Sequence, residues 1–194
     1  MVTKKIAILG GGESGTGAAL LAKMKGFEVF LTDRGKIKQQ YKTVLSQSDI
    51  EFEEGTHSET RILEAGEIIK SPGIPGTVPL VQKARAKGIP VISEIEFAGR
   101  YTRARKVCIT GSNGNTTTTL LIHHILKKAG LDAGLGGNVG KSLAWLLTER
   151  DYDYLVLEIS SFQLDDMYDF RDEIAVLLNI TPDHLERYDN TFEK

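Results

Sequence analysis

The run K-V-C-I-T-G-S-N-G-N-T-T-T-T occupies residues 106–119. Three apolar residues, Val107, Cys108 and Ile109, lead into a turn carrying Gly111 and Gly114, and four threonines and an amphipathic segment over 120–129 follow. Strand, glycine turn and helix start, in that order, predict a phosphate cradle. Glycines let the backbone approach an anion, successive N–H groups point inward, and the helix N-terminus adds partial positive charge. Gly111, Ser112, Asn113, Gly114, Asn115, Thr116 and Thr117 are its candidate residues, with Thr116 or Thr117 placed where such loops hold the Mg²⁺ of a nucleoside triphosphate.

Two positions depart from the general pattern G-x-x-x-x-G-K-[ST]. Ile109 stands where the pattern has its first glycine, and Asn115 where it has its lysine. The second departure replaces a cation with a neutral amide. On this stretch alone, a glycine turn that binds nothing fits equally well.

The downstream sequence supplies context. Residues 131–140 hold four glycines and Asn138; 154–159 reads as a strand ending at Glu158; and 173–180 reads as a strand ending at Asn179, before Thr181-Pro182-Asp183-His184. If the sheet is parallel, these strand ends share one edge with the glycine turn. A phosphate loop, a Glu and a His brought together there make a metal–nucleotide site, and this favours function over the structural turn. Taken singly, Glu158 reads equally as a cap or ion-pair carboxylate, and His184 as a helix cap. His123 and His124 read as packing and surface residues, His57 is assigned no role, and Trp145 with its flanking leucines reads as core.

Upstream, 5–9 is a strand-type run followed by Gly10, Gly12 and Gly15 in G-x-G-x-x-G spacing, then a helical run over 18–25. A second strand, 29–31, leads to Asp33. That is the Rossmann-type fingerprint in its strand–helix–strand setting, and it predicts a phosphate-bearing nucleotide. Asp33 also suits a plain turn, Asp-Arg-Gly. Helical patterns over 36–48 and 79–87 and strands over 67–70 and 90–92 continue the alternation, which predicts a parallel doubly wound sheet. Between them the loop S-P-G-I-P-G, 71–76, lies at a strand's C-terminal end, where open α/β sheets bind ligands. The fold class expected is α/β: a Rossmann-like parallel-sheet domain over 1–93, a linker over 94–105, and part of a phosphate-loop NTPase-like α/β domain over 106–194.

Composition narrows the function classes. Of 194 residues 41% are hydrophobic and 26% charged, as in ordinary globular proteins. A net charge of −2 gives no footprint for nucleic acid or a membrane surface. No apolar stretch approaches the ~18 residues that span a bilayer. With one cysteine, Cys108, inside an apolar run, the expected compartment is the cytoplasm.

G-S-N-G-x-T-T-T-T, G-G-N-V-G, L-E-I-S-S-F-Q-L and N-I-T-P-D-H-L-E-R-Y, in this order and spacing, resemble the Mur ligases of peptidoglycan synthesis. S-S-F-Q-L, G-G-G-E-S-G and S-P-G-I-P point within that family to the member that joins D-glutamate to UDP-N-acetylmuramoyl-L-alanine. The resemblance implies ATP and Mg²⁺ as cofactors and these two small molecules as partners, with no nucleic acid, no membrane and a monomeric enzyme. It implies that Ser14, Gly15 and Thr16 meet the diphosphate, that Thr32, Asp33, Ser71 and Gly73 lie near the uridine, and that Asn138 touches the substrate. Thr116, Glu158 and His184 would serve metal, with Asn179 and Asp183 near ATP, and Asn115, Glu158 and His184 would form the catalytic set. The implied chemistry passes the γ-phosphate of ATP to a carboxylate, giving an acyl phosphate that the amine of D-glutamate attacks. The lysine that the family carbamylates is expected beyond Lys194, together with a C-terminal domain, so this stretch alone is expected to be inactive. A catalytically silent nucleotide-binding module is the alternative. An NAD-dependent oxidoreductase, suggested only by the first 35 residues, ranks last.

Overall fold

The computed structural model describes residues 4–182, 185 and 191. The first half alternates strand and helix: β1 (Lys5–Leu9), α1 (Glu13–Met24), β2 (Glu28–Asp33), α2 (Gln39–Gln47), β3 (Glu51–Glu54), α3 (Glu59–Leu63), β4 (Glu67–Lys70), α4 (Pro79–Ala86) and β5 (Val91–Ser93). Its strands form one parallel sheet in the order β3-β2-β1-β4-β5. The chain runs outward from β1 in one direction through β2 and β3, and in the other through β4 and β5. The crevice at this reversal, beside the ends of β1 and β4, is where such sheets receive ligands.

The second half contributes β6 (Arg105–Thr110), α6 (Asn115–Lys128), β7 (Ala133–Gly137), α7 (Leu143–Glu149), β8 (Tyr154–Glu158), α8 (Ser161–Leu164) and β9 (Ile174–Leu177). Its sheet is also parallel, ordered β7-β8-β6-β9. The two sheets are separate and meet through helices. One apolar cluster runs through both, taking in Ile8, Leu31, Ile95 and Phe97 from the first and Leu143, Leu146, Leu155 and Leu157 from the second. Trp145 on α7 packs edge-on against Tyr41 on α2, ring centres 6.2 Å apart.

The expected linker is different in kind. Residues 94–99 form a buried helix, α5 (Glu94–Gly99), whose Phe97 is fully buried between the rings of Phe27 and Tyr101. Arg100, Arg103 and Arg105 follow this helix rather than compose it. Ser93 starts it, its hydroxyl accepting the Glu96 N–H at 3.1 Å.

The segment between β8 and β9 leaves its own sheet and crosses to the other. The backbone oxygen of Asp166 accepts the N–H of Ser93 on β5 at 2.8 Å. Its carboxylate, 1% exposed, lies 2.9 Å from Lys70 Nζ and 2.6 Å from an Arg85 guanidinium nitrogen. Farther along, Glu96 Oε2 on α5 accepts the N–H groups of Tyr168, Asp169 and Phe170 at 2.9, 3.0 and 2.9 Å. The second sheet is thus strapped across the edge of the first.

Candidate functional site

Each sheet carries a glycine turn at the C-terminal end of its first strand. In the first, Gly12 caps α1 in extended conformation, and Thr16 N–H closes the opening helical bond onto Gly12 O at 2.9 Å. A Cβ at Gly15 would overlap the carbonyl oxygen of Gly10, so the close crossing of turn and helix requires glycine there. Gly15 is buried and Ser14 half-buried in the first helical turn, where N–H groups lack intrahelical partners and suit an anion. Thr16 is not brought to the surface: it is fully buried, and its hydroxyl has no hydrogen-bond partner among the described residues.

Asp33 braces the turn. Its Oδ2 accepts Gly11 N–H at 2.6 Å and its Oδ1 accepts Gly35 N–H at 2.7 Å. Ser71 bonds its N–H to Leu9 O at 2.9 Å, which sets its side chain against Gly10. Gly73 is exposed in the loop beyond. Thr32 is buried, its hydroxyl set among Glu53, Thr56 and His57. The ends of β1, β2 and β4 therefore converge on one edge, as their parallel registers require.

In the second sheet, Gly114 caps α6 at φ 84°, a left-handed conformation that glycine enters without steric cost. Thr118 N–H closes the first helical bond onto Gly114 O at 2.9 Å, so the N–H groups of Asn115, Thr116 and Thr117 lack intrahelical partners. Thr116 and Thr117 are exposed and Asn115 half-buried. Other cradle donors are already engaged. Ser112 N–H bonds Asn179 O at 3.2 Å, and Asn113 N–H bonds the Asn179 side-chain oxygen at 2.9 Å. The Asn179 amide nitrogen returns a bond to Asn113 O at 2.8 Å. Asn179 thus clamps the loop through both ends of its amide, and the cradle open to an anion begins at Gly114.

Parallel register pairs Ile109 with Glu158 and Thr110 with Leu177, which brings the ends of β6, β8 and β9 together. Glu158 is 1% exposed. Asn138, in the loop after β7, donates its amide to Glu158 Oε1 at 2.7 Å and its N–H to Glu158 O at 2.8 Å. Glu158 Oε2 is buried with no hydrogen-bond partner among the described residues. Such an orphaned carboxylate oxygen is costly unless a cation or water completes it. The chemistry of this oxygen fits a hard cation such as Mg²⁺, which takes oxygen ligands. Among the described residues no three His, Cys, Asp or Glu side chains group as a metal cluster. Asp183 and His184 lie outside the described residues.

The start of α7 in the second half is tied to α1 and α5 by carboxylates that the sequence reading passed over. Glu13 Oε1, in the first turn of α1, accepts Ser142 N–H at 2.9 Å, just before α7. Glu94 on α5 accepts Ala144 N–H, in the first turn of α7. Burial pushes the Glu94 carboxyl up to about 8, against the Ala144 bond, and the charge of Glu13 adds to the rise. Glu13 fills a variable position of G-x-G-x-x-G, so no motif marked it. The signal for Glu94 was S-E-I-E itself, a capping-box pattern that announces a helix.

Two family models match the chain: the MurD N-terminal domain over residues 5–78 and the Mur ligase middle domain over residues 109–194. The chain belongs to the Mur ligase family. Ligases named UDP-N-acetylmuramoylalanine--D-glutamate ligase are similar along nearly all of it. That of Bacteroides fragilis is 60% identical over 190 residues, covering 98% of this chain and 43% of its own length. That of Porphyromonas gingivalis is 62% identical over 188 residues, covering 97% of this chain and 42% of its own. The chain thus spans less than half the length of these Mur ligases. A solved UDP-N-acetylmuramate-alanine ligase, MurC of Thermotoga maritima, superposes with a TM-score of 0.61 at 20% identity, covering 97% of this chain and 44% of that one. At that identity the likeness is one of fold, and the fold is the two-sheet α/β arrangement expected of a Mur ligase.

Proposed function

We propose that this chain is the sugar-nucleotide- and ATP-binding part of a Mur ligase that joins D-glutamate to UDP-N-acetylmuramoyl-L-alanine. In this reading residues 1–93 bind the UDP end of the substrate through Ser14, Gly15, Asp33, Ser71 and Gly73. Residues 106–194 bind ATP through the cradle that opens at Gly114. The protein works as a cytoplasmic monomer; among its described residues no helix is long and apolar enough to cross a membrane.

One observation carries the reading: Glu158, held by Asn138 on one oxygen and unpartnered on the other, sits in register beside the strand that feeds the phosphate loop. Glu158 would hold Mg²⁺ there, and the cation would supply positive charge against the phosphates of ATP. The chain's own residues do the rest. Glu158 holds the cation, the first-turn N–H groups of α6 orient the phosphates, and Asn138 fixes the carboxylate. Glu13 ties the diphosphate turn of one sheet to the loop that follows Asn138 in the other.

Asn115 favours a second reading, a module that binds nucleotide without transferring phosphate. Its amide can donate a hydrogen bond but supplies no charge where the phosphate-loop pattern has lysine. Calorimetric titration with UDP-N-acetylmuramoyl-L-alanine, NAD and ATP with and without Mg²⁺ tests the proposal. Saturable binding of the sugar nucleotide and of Mg²⁺-dependent ATP is expected. Tighter binding of NAD than of the sugar nucleotide would overturn it.

A further inference from the structure

Thr32, at the C-terminal end of β2, has its hydroxyl crowded by three groups. Glu53 Oε1 lies at 2.8 Å, Thr56 O at 3.1 Å and His57 Nδ1 at 2.7 Å. A hydroxyl has one proton to give. Thr56 O is a backbone acceptor. Glu53 is ionised: burial works to raise its pKa, but the N–H and hydroxyl of Ser58, at 2.6 Å each, together with Thr32, hold it below the usual carboxylate range. Neither group can donate. If Nδ1 were also a bare lone pair, three acceptors would share one proton around a buried oxygen. The proton count closes when Nδ1–H donates to Thr32 and Thr32 donates to Glu53.

We propose that this relay locks His57 as the Nδ1–H tautomer and presents its Nε2 lone pair to a hydrogen-bond donor on the nucleoside end of the sugar nucleotide, a base N–H or a ribose hydroxyl. Nε2 lies across the ring from Nδ1, so anchoring one nitrogen on Thr32 turns the other away from the strands. The ring is half-buried, in the loop leaving β3, on the same sheet edge as the glycine turn and Ser71. The acidic residue that reads a ribose in dinucleotide folds is here Asp33, and both its oxygens already hold backbone N–H groups. A neutral acceptor also suits a site for an anionic diphosphate better than a second carboxylate would. The inference rests on the sugar-nucleotide reading above.

Two measurements test it. Nitrogen-15 NMR of the unsubstituted protein in alkaline buffer, where an imidazole is neutral, is expected to show Nδ1 protonated and an Nε2 signal that shifts when UDP is added. An Nε2–H tautomer, or no shift at saturating UDP, overturns the proposal. His57→Asn places an amide N–H where Nδ1 stands, keeping the bond to Thr32 while removing Nε2. It is expected to weaken UDP binding roughly tenfold without lowering the melting temperature. With UDP methylated at base N3, or lacking the ribose 2′-hydroxyl, the analogue missing the contacted donor should bind the unsubstituted protein as weakly as UDP binds His57→Asn. Equal affinity of His57→Asn and the unsubstituted protein for UDP, or of both analogues and UDP for the unsubstituted protein, overturns the role of His57 alone. Failure of the unsubstituted protein to bind UDP at all overturns the sugar-nucleotide reading with it.

Discussion

At Asn115 a single amide decides how much charge the phosphate loop contributes. It begins α6, beside first-turn N–H groups that no helical bond satisfies. Asn115→Lys adds a cation facing phosphate, and a charge-assisted bond of this kind is worth ~1.5–3 kcal/mol. We expect Mg²⁺-ATP to bind the lysine variant at least about tenfold more tightly by calorimetry; equal affinity would mean that another cation already fills the place. Glu158→Gln retains the bond from Asn138 but removes the charge, so ATP affinity should lose its dependence on Mg²⁺, read in the same titration. Glu94 responds to pH. Its folded pKa, about 8, lies above the ordinary carboxylate value, so the folded state binds the proton more tightly than the unfolded chain does. Stability from this group therefore falls as pH rises from the ordinary carboxylate value toward 8 and levels off beyond. Glu94→Gln is neutral throughout and keeps an acceptor for Ala144, so its melting temperature should decline less across that interval. Parallel declines would show that Glu94 does not titrate there.

The elements were legible in the sequence where their patterns were strong and hidden where tertiary contacts made them. β1 with its G-x-G-x-x-G turn, β6 with its phosphate loop and β8 ending at Glu158 all read as apolar runs closed by turn or polar residues. β3 did not, because E-F-E-E is a polar edge strand with only Phe52 to mark an inner face. β7 did not, because A-G-L-G-G has the glycine content of a loop and becomes a strand by pairing with β8. α5 was obscured by the arginines after it, although its capping residues were in plain view. The setting of His57 could not be read because its partner Thr32 meets Glu53 only once β2 and β3 pair. At this scale the connection between β8 and β9 is the sharpest case, since Glu96 satisfies three successive backbone donors in it. Glu96→Ala should cost about 2–4 kcal/mol, from the lost charged bonds and the donors left behind. Urea unfolding measures this, and a cost below about 0.5 kcal/mol would show that water replaces the carboxylate freely.

Over the whole molecule, the two sheets share an apolar cluster, and α1 and α5 pack on α7. Independent unfolding of the halves would expose that shared surface. We therefore expect one cooperative transition, with Trp145 fluorescence and far-ultraviolet circular dichroism giving coincident urea midpoints; two separated midpoints would mean that the cluster does not couple them. The separation into two sheets and the gathering of strand ends were legible from alternation and motif order. How the halves are joined was not, because Asp166 meets Lys70 and Arg85 across more than eighty positions of sequence. That trio has a mechanical consequence. Swinging one sheet away from the other would strand a buried lysine and aspartate without their partners, and breaking such a pair costs ~3–5 kcal/mol. Parting the sheets at this junction therefore carries a penalty that a motion hinged elsewhere would not incur.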